Sequence, residues 1–172
     1  WYRYHPLFAE LLRVRLERAY PDAVQELHRR ASSWYAQEGL LAEAVQHALA
    51  ARAFEQAGDF IERIGLKLFS IGPMQHTLNQ WLAALPVEFA RTRPKLGLIQ
   101  ARLLLHQRDL EAAFRRLDEA EQALQQQVGQ DQEDARNTQG EILATRALVN
   151  TISHRFEPNQ VRVWSQAALA DL

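Results

Sequence analysis

Apolar residues recur along this chain at helical spacing, i, i+3, i+4 and i+7, and seldom alternate with polar ones. Leu7, Phe8, Leu11, Leu12 and Leu16 mark the first helix face, with Pro6 in its first turn and Pro21 as its terminator. Asp22 is the expected N-cap of a second helix over about 23–38, with Val24, Leu27, Ala31 and Trp34 or Tyr35 inward and Gly39 just past its end. The pattern predicts further helices over about 41–51, 53–69 and 74–84, the last showing Leu78, Trp81, Leu82 and Leu85. A short connector is expected between Pro86 and Pro94, then helices over about 95–106 and 109–127, the latter capped by Asp109. The polar run 127–137 reads as a loop, followed by helices over about 138–154 and from 158 onward. The last has no stop signal, so the chain is expected to end within its architecture.

Helix pairs joined by short connectors invite a test for internal repeats. The tetratricopeptide pattern places small residues at repeat positions 8, 20 and 27 and large ones at 11 and 24; Ala101, Ala113, Ala120, Leu104 and Leu117 satisfy all five. Ser32, Tyr35, Ala44, Ala48 and Ala51 satisfy it in part, 69 residues earlier, close to two repeat lengths. A third unit has Val161 and Ala168 at positions 20 and 27, with Val161 lying 48 residues beyond its equivalent Ala113. The fold class expected is all-α, antiparallel helix pairs stacked as a short tetratricopeptide-like solenoid. Its open end is expected to show apolar surface suited to a second copy.

Composition narrows the chemistry. Of 172 residues 47% are hydrophobic, with 7 Gly, 6 Pro and no Cys, which excludes disulfides, thiol nucleophiles and thiolate metal sites and suits a reducing compartment. Lys plus Arg is 20 against 21 Asp plus Glu, too balanced for a chain that neutralises many phosphates. No apolar run reaches the length of a membrane span, and no signal peptide opens the chain. The six histidines (5, 28, 47, 76, 106 and 154) show no metal-site spacing, and His28 and His47 are expected to hydrogen-bond between helices. Ser32, Ser33 and Thr77 lack a nucleophile-elbow context. Asp118, Glu119 and Glu121 read as a solvated face served by Arg115. Arg91, Arg93 and Lys95 form a small basic cluster on a solvated connector, and the remaining Trp and Tyr residues read as packing.

Two segments carry a family resemblance. Tyr4, His5, Leu7 and Phe8 in WYRYHPLF, then Leu27, His28, Arg29, Ala31, Trp34 and Tyr35, then Gly39, Glu43, Ala44, His47, Ala48, Leu49, Ala50 and Ala51, resemble the MalT-like, large ATP-binding LuxR-type regulators of bacteria. The likeness is dense to about residue 62 and looser through Trp81, Leu82, Leu85 and Pro86 to the helix pair at 97–124. It implies a cytoplasmic transcription-regulation and signal-transduction protein. Residues 1–20 would be a junction helix after a winged-helix region, and 21–172 an incomplete tetratricopeptide-like helical-repeat domain. ATP is implied for the parent protein; this segment holds no G-x-x-x-x-G-K-[ST] and no helix-turn-helix signature, so no cofactor and no direct DNA contact are expected of it. The implied partners are other modules of the same regulator, and an inducer or a protein.

The function expected is a sensor and coupling segment that binds an inducer or partner and relays to the nucleotide-binding module. The alternative is a generic tetratricopeptide-type protein–protein interaction scaffold; no enzyme activity and no metal are expected. The first helix of each repeat lines the concave face, which by the register above presents Arg29, Lys95, Arg102, His106, Arg146, Asn150 and His154 as a polar stripe for ligand or partner.

Overall fold

The computed structural model describes residues 5–68, 74–127, 132–153 and 166. Among these every regular element is an α-helix: α1 (Pro6–Ala19), α2 (Pro21–Gln37), α3 (Leu41–Ala50), α4 (Phe54–Leu68), α5 (Met74–Ala84), α6 (Val87–Arg91), α7 (Pro94–His106), α8 (Leu110–Gln126) and α9 (Gln132–Ser153). The chain divides inside α4 into two compact units, Trp1–Phe60 and Ile61–Leu172.

In the first unit α2 and α3 form an antiparallel hairpin. Ser32 is wholly buried and donates its hydroxyl to the Ala44 carbonyl at 2.8 Å, with Ala44, Val45 and Ala48 also at zero exposure. The small residues let the two backbones close up. The stripe that α2 turns inward runs through His28, Ser32 and Tyr35. Leu27 and Trp34, expected inward, are 55% and 53% exposed. Polar groups hold the inward stripe because each finds a partner across the hairpin, and apolar periodicity alone pointed one position off.

The second unit repeats the hairpin with α7 and α8. Ala101, Ala113, Leu117 and Ala120 are buried, around them Leu98, Ile142 and Val149. A Cβ on Gly97 would lie 2.8 Å from the Cβ of Ala120, so the helices touch where glycine leaves room. α9 packs against both α7 and α8. Leu78, Trp81, Leu82 and Leu85 are buried as their spacing foretold.

The same turn ends α2, α3 and α7. Leu40 donates to Tyr35 at 2.9 Å and Gly39 to Ala36 at 3.2 Å; Asp109 donates to Leu104 at 3.0 Å and Arg108 to Leu105 at 3.1 Å. Ala53 and Arg52 repeat the pair on Ala48 and Leu49. This is a Schellman closure, and its left-handed residue is Gly39 (φ 76°), Arg52 (φ 52°) and Arg108 (φ 64°). The 69-residue period read from the sequence is therefore a period of backbone geometry: α2 and α7 end, and α3 and α8 begin, at equivalent places.

Four local expectations change. Asp22 does not cap α2: Tyr20 holds the N-cap position without a side-chain bond, Pro21 opens the helix, and Asp22 sits in its first turn. Pro21 both ends one helix and starts the next, because a missing N–H is costless at a first turn. The connector between Pro86 and Pro94 winds into α6, with Ala90 donating to the Pro86 carbonyl at 3.0 Å. Within the polar stretch expected as a loop, residues 132–137 are helix: α9 starts at Gln132 with Glu133 and Asp134 in its first turn, where the helix dipole favours carboxylates. Asp118 stays on the exposed face and Glu121 is half-buried, but both pair with Arg146 of α9 in place of Arg115. Asp109 caps α8 as expected, accepting from the Ala112 amide at 3.0 Å. The helix from 158 onward, the third unit's Val161 and Ala168, and Trp1, Tyr2, Tyr4 and Trp164 lie outside the described residues.

The two histidines meet as expected. The Nδ1 atoms of His28 and His47 lie 2.8 Å apart, and His47 stacks on Tyr35 with centroids 5.2 Å apart. Burial, and then the charge His28 would carry, push the His47 pKa below its ordinary 6.5. The unfolded chain accepts a proton at His47 that the folded hairpin resists. Stability is therefore full above pH 6.5, falls as pH drops through it, and levels off below the folded value. Thermal melts between pH 8 and pH 5 should show a loss on acidification that His47→Gln abolishes.

Candidate functional site

α7 and α9 run parallel, joined by ion pairs in a constant register. Lys95 meets Asp134 at 2.5 Å, and Arg102 pairs with Glu141; each partner lies 39 residues on. Arg102 Nε also donates to Thr145 Oγ1 at 3.1 Å, and Thr145 in turn donates to the Glu141 carbonyl. These pairs are partly exposed, Arg102 at 23% and Glu141 at 41% of the side chain, so they set register more than they add stability.

Arg146 lies on a different flank of α9. It bridges Asp118 at 2.8 Å and Glu121 at 2.7 Å, and Gln139 also donates to Glu121 at 3.0 Å, tying α9 to α8. Among the described residues Arg146 Nε is buried without a hydrogen-bond partner. Asn150, 8% exposed, donates to the Arg146 carbonyl at 3.1 Å. His106 is exposed at the end of α7, and Arg29 is exposed on α2, paired with Glu26 at 2.8 Å. His154 lies outside the described residues.

The structure thus brings Lys95 and Arg102 into one row with Asp134, Glu141 and Thr145, and sets Arg146 and Asn150 beside α8. The sequence register passed over Asp134 and Glu141 because they fell in or beside the presumed loop. Their i, i+7 spacing was the available signal.

Each member of the basic cluster has a carboxylate near it, tightly held at Arg93 and loosely at Arg91. Arg93 makes a two-pronged bond to Glu62 at 2.9 and 3.2 Å, Arg91 meets Glu88 at 3.4 Å, and Lys95 meets Asp134. Arg115 pairs with Glu111, and it is Arg116 that takes Glu119. No group of three or more metal-ligating side chains occurs among the described residues, and no described helix is long and apolar enough to cross a membrane.

A helical hairpin repeat of this kind defines a class of fold rather than a reaction. Comparison with known proteins shows which ones carry a similar segment. The chain is 35% identical over 127 residues, 74% of its length, to the HTH-type transcriptional regulator MalT of Serratia proteamaculans (strain 568), of which this covers 14%. Over 110 residues, 61% of its length, it is 42% identical to the serine/threonine-protein kinase PknK of Mycobacterium tuberculosis (strain ATCC 25618 / H37Rv), of which this covers 10%. The chain spans about a tenth of the length of these first relatives. It is homologous to a segment of a MalT-type transcriptional regulator and to a segment of PknK. No family model and no solved structure matches it.

Proposed function

We propose that the chain is the sensor and coupling segment of a larger ATP-dependent LuxR-type regulator, one that takes up an inducer or partner and relays its presence to a nucleotide-binding module. The observation that carries the reading is the homology to the MalT regulator over a stretch folded as repeated helix hairpins. Stacked hairpins suit the task, because each contacts mainly its neighbours and a small shift in one is passed to the next. The segment itself performs no chemistry in this reading, and its location is the cytoplasm. The α7–α9 ridge is the receiving surface: breakable ion pairs offer Arg102 and Lys95 to an anionic group.

The complete open reading frame provides the first test. An upstream P-loop and a downstream helix-turn-helix support the reading, and their absence returns the chain to a generic interaction scaffold. In that full-length protein, Lys95→Ala with Arg102→Ala should reduce inducer- or partner-dependent transcription at least about tenfold while the protein stays folded. Unchanged induction in a reporter assay removes the ridge as receiving surface.

A further inference from the structure

A cavity of about 390 Å³ opens between α5, α6, α7 and α8, on residues of α7 other than those that face α9. Its volume lies within the range of small-molecule sites. Leu82, Leu85, Leu103 and Leu104 form apolar walls, and the charged lining is Arg91, Arg116 and Glu119.

Arg116 forms the floor and is 9% exposed. It donates to the Ala90 carbonyl at 2.7 Å, to Gln100 at 2.5 Å and to Glu119 at 2.8 Å, which fixes it in place and commits its donors. Burial drives the Arg116 pKa down; Glu119 counteracts this, and the nearby Arg91 lowers it further. Arg91 is held differently. It meets Glu88 at a long 3.4 Å, with both side chains largely exposed, and Glu88 does not line the cavity. Two guanidinium groups and one carboxylate thus line an otherwise apolar hollow, with Arg91 exposed at its rim. An anionic group beside Arg91 would relieve that imbalance, and an apolar body would cover the leucines.

We propose that this cavity is a binding site for a small amphipathic carboxylate, with its apolar body between Leu82, Leu103 and Leu104 and its carboxylate beside Arg91. The inference deepens the sensing role above by naming a ligand class and a second surface, and it rests on that role for its purpose only. The chemistry of the cavity is testable on the 172-residue chain without any regulator context.

Isothermal titration with octanoate, octan-1-ol and acetate tests it. Octanoate should bind one to one, octanol about fivefold more weakly for want of the charge, and acetate should show no saturable binding. Arg91 and Ala83 are exposed, so Arg91→Gln and Ala83→Trp should leave the helical circular dichroism and melting unchanged. Arg91→Gln should bring octanoate down to the octanol affinity. Ala83→Trp, which fills the mouth, should weaken both at least about tenfold. Leu11→Gln, on the exposed apolar face of α1, should change neither. Absence of octanoate binding, equal binding of octanol, undiminished affinity in the two cavity variants, or loss in the Leu11 variant would each overturn the proposal. None of these outcomes touches the reading-frame test of the regulator role.

Discussion

Gly97→Leu should lower the unfolding free energy of the second unit by about 3 kcal/mol, read as a shift in urea midpoint at unchanged m-value. Even a Cβ at this position would lie 2.8 Å from the Ala120 Cβ and 3.4 Å from its Cα. The obstacle at 3.4 Å is backbone, which cannot rotate away, so a branched side chain must drive α7 and α8 apart. Separation would uncover Ala101, Ala113 and Leu117, which the hairpin keeps at zero exposure. A loss below about 0.5 kcal/mol would mean that the two helices do not approach as closely as glycine allows.

Leu117→Ala should cost about 3 kcal/mol, whereas Leu27→Ala should cost about 0.5 kcal/mol or less. Both are leucines at helical spacing, and a purely compositional view would rank them alike. Leu117 fills the large position of the repeat at zero exposure, surrounded by Leu98, Ala101, Ala120 and Ile142. Leu27 is 55% exposed, because α2 turns His28, Ser32 and Tyr35 inward in its place. Urea titrations of both variants measure the contrast, and equal losses would contradict the register.

That contrast shows where sequence was a sound guide. Small residues at fixed repeat positions report backbone proximity, which few other arrangements demand. Ala101, Ala113, Ala120, Ser32 and Ala44 therefore placed two hairpins correctly from five positions each. Gly39 and Asp109 were readable because a left-handed turn and an N-cap favour those residue types; Arg52 and Arg108, at the same turn, gave no such signal. The first turn of α9 was not readable: Gln132, Glu133 and Asp134 are polar like a loop, yet all three suit a helix start.

The candidate site was legible in kind and less so in register. Lys95 and Arg102 were placed together on one face of α7, but their partners Asp134 and Glu141 were passed over. The reason is the late start assigned to α9, which left the pairing across α7 and α9 unseen. Arg146 was drawn into the same stripe by its charge, and it belongs to the α8 flank with Asp118 and Glu121. Arg116 gave no periodic signal, because a buried arginine looks like any surface arginine until its carbonyl and amide partners are known.

The receiving surface requires that α7 and α9, which flank α8 in the chain, run parallel and share one ridge. The chain has no cysteine, so paired replacements can be cross-linked without background. A short bismaleimide should link Lys95→Cys to Asp134→Cys and Arg102→Cys to Glu141→Cys in high yield, and should fail with Lys95→Cys and Glu141→Cys. Efficient linking of that last pair, or of none, would contradict the parallel register on which the receiving surface is built.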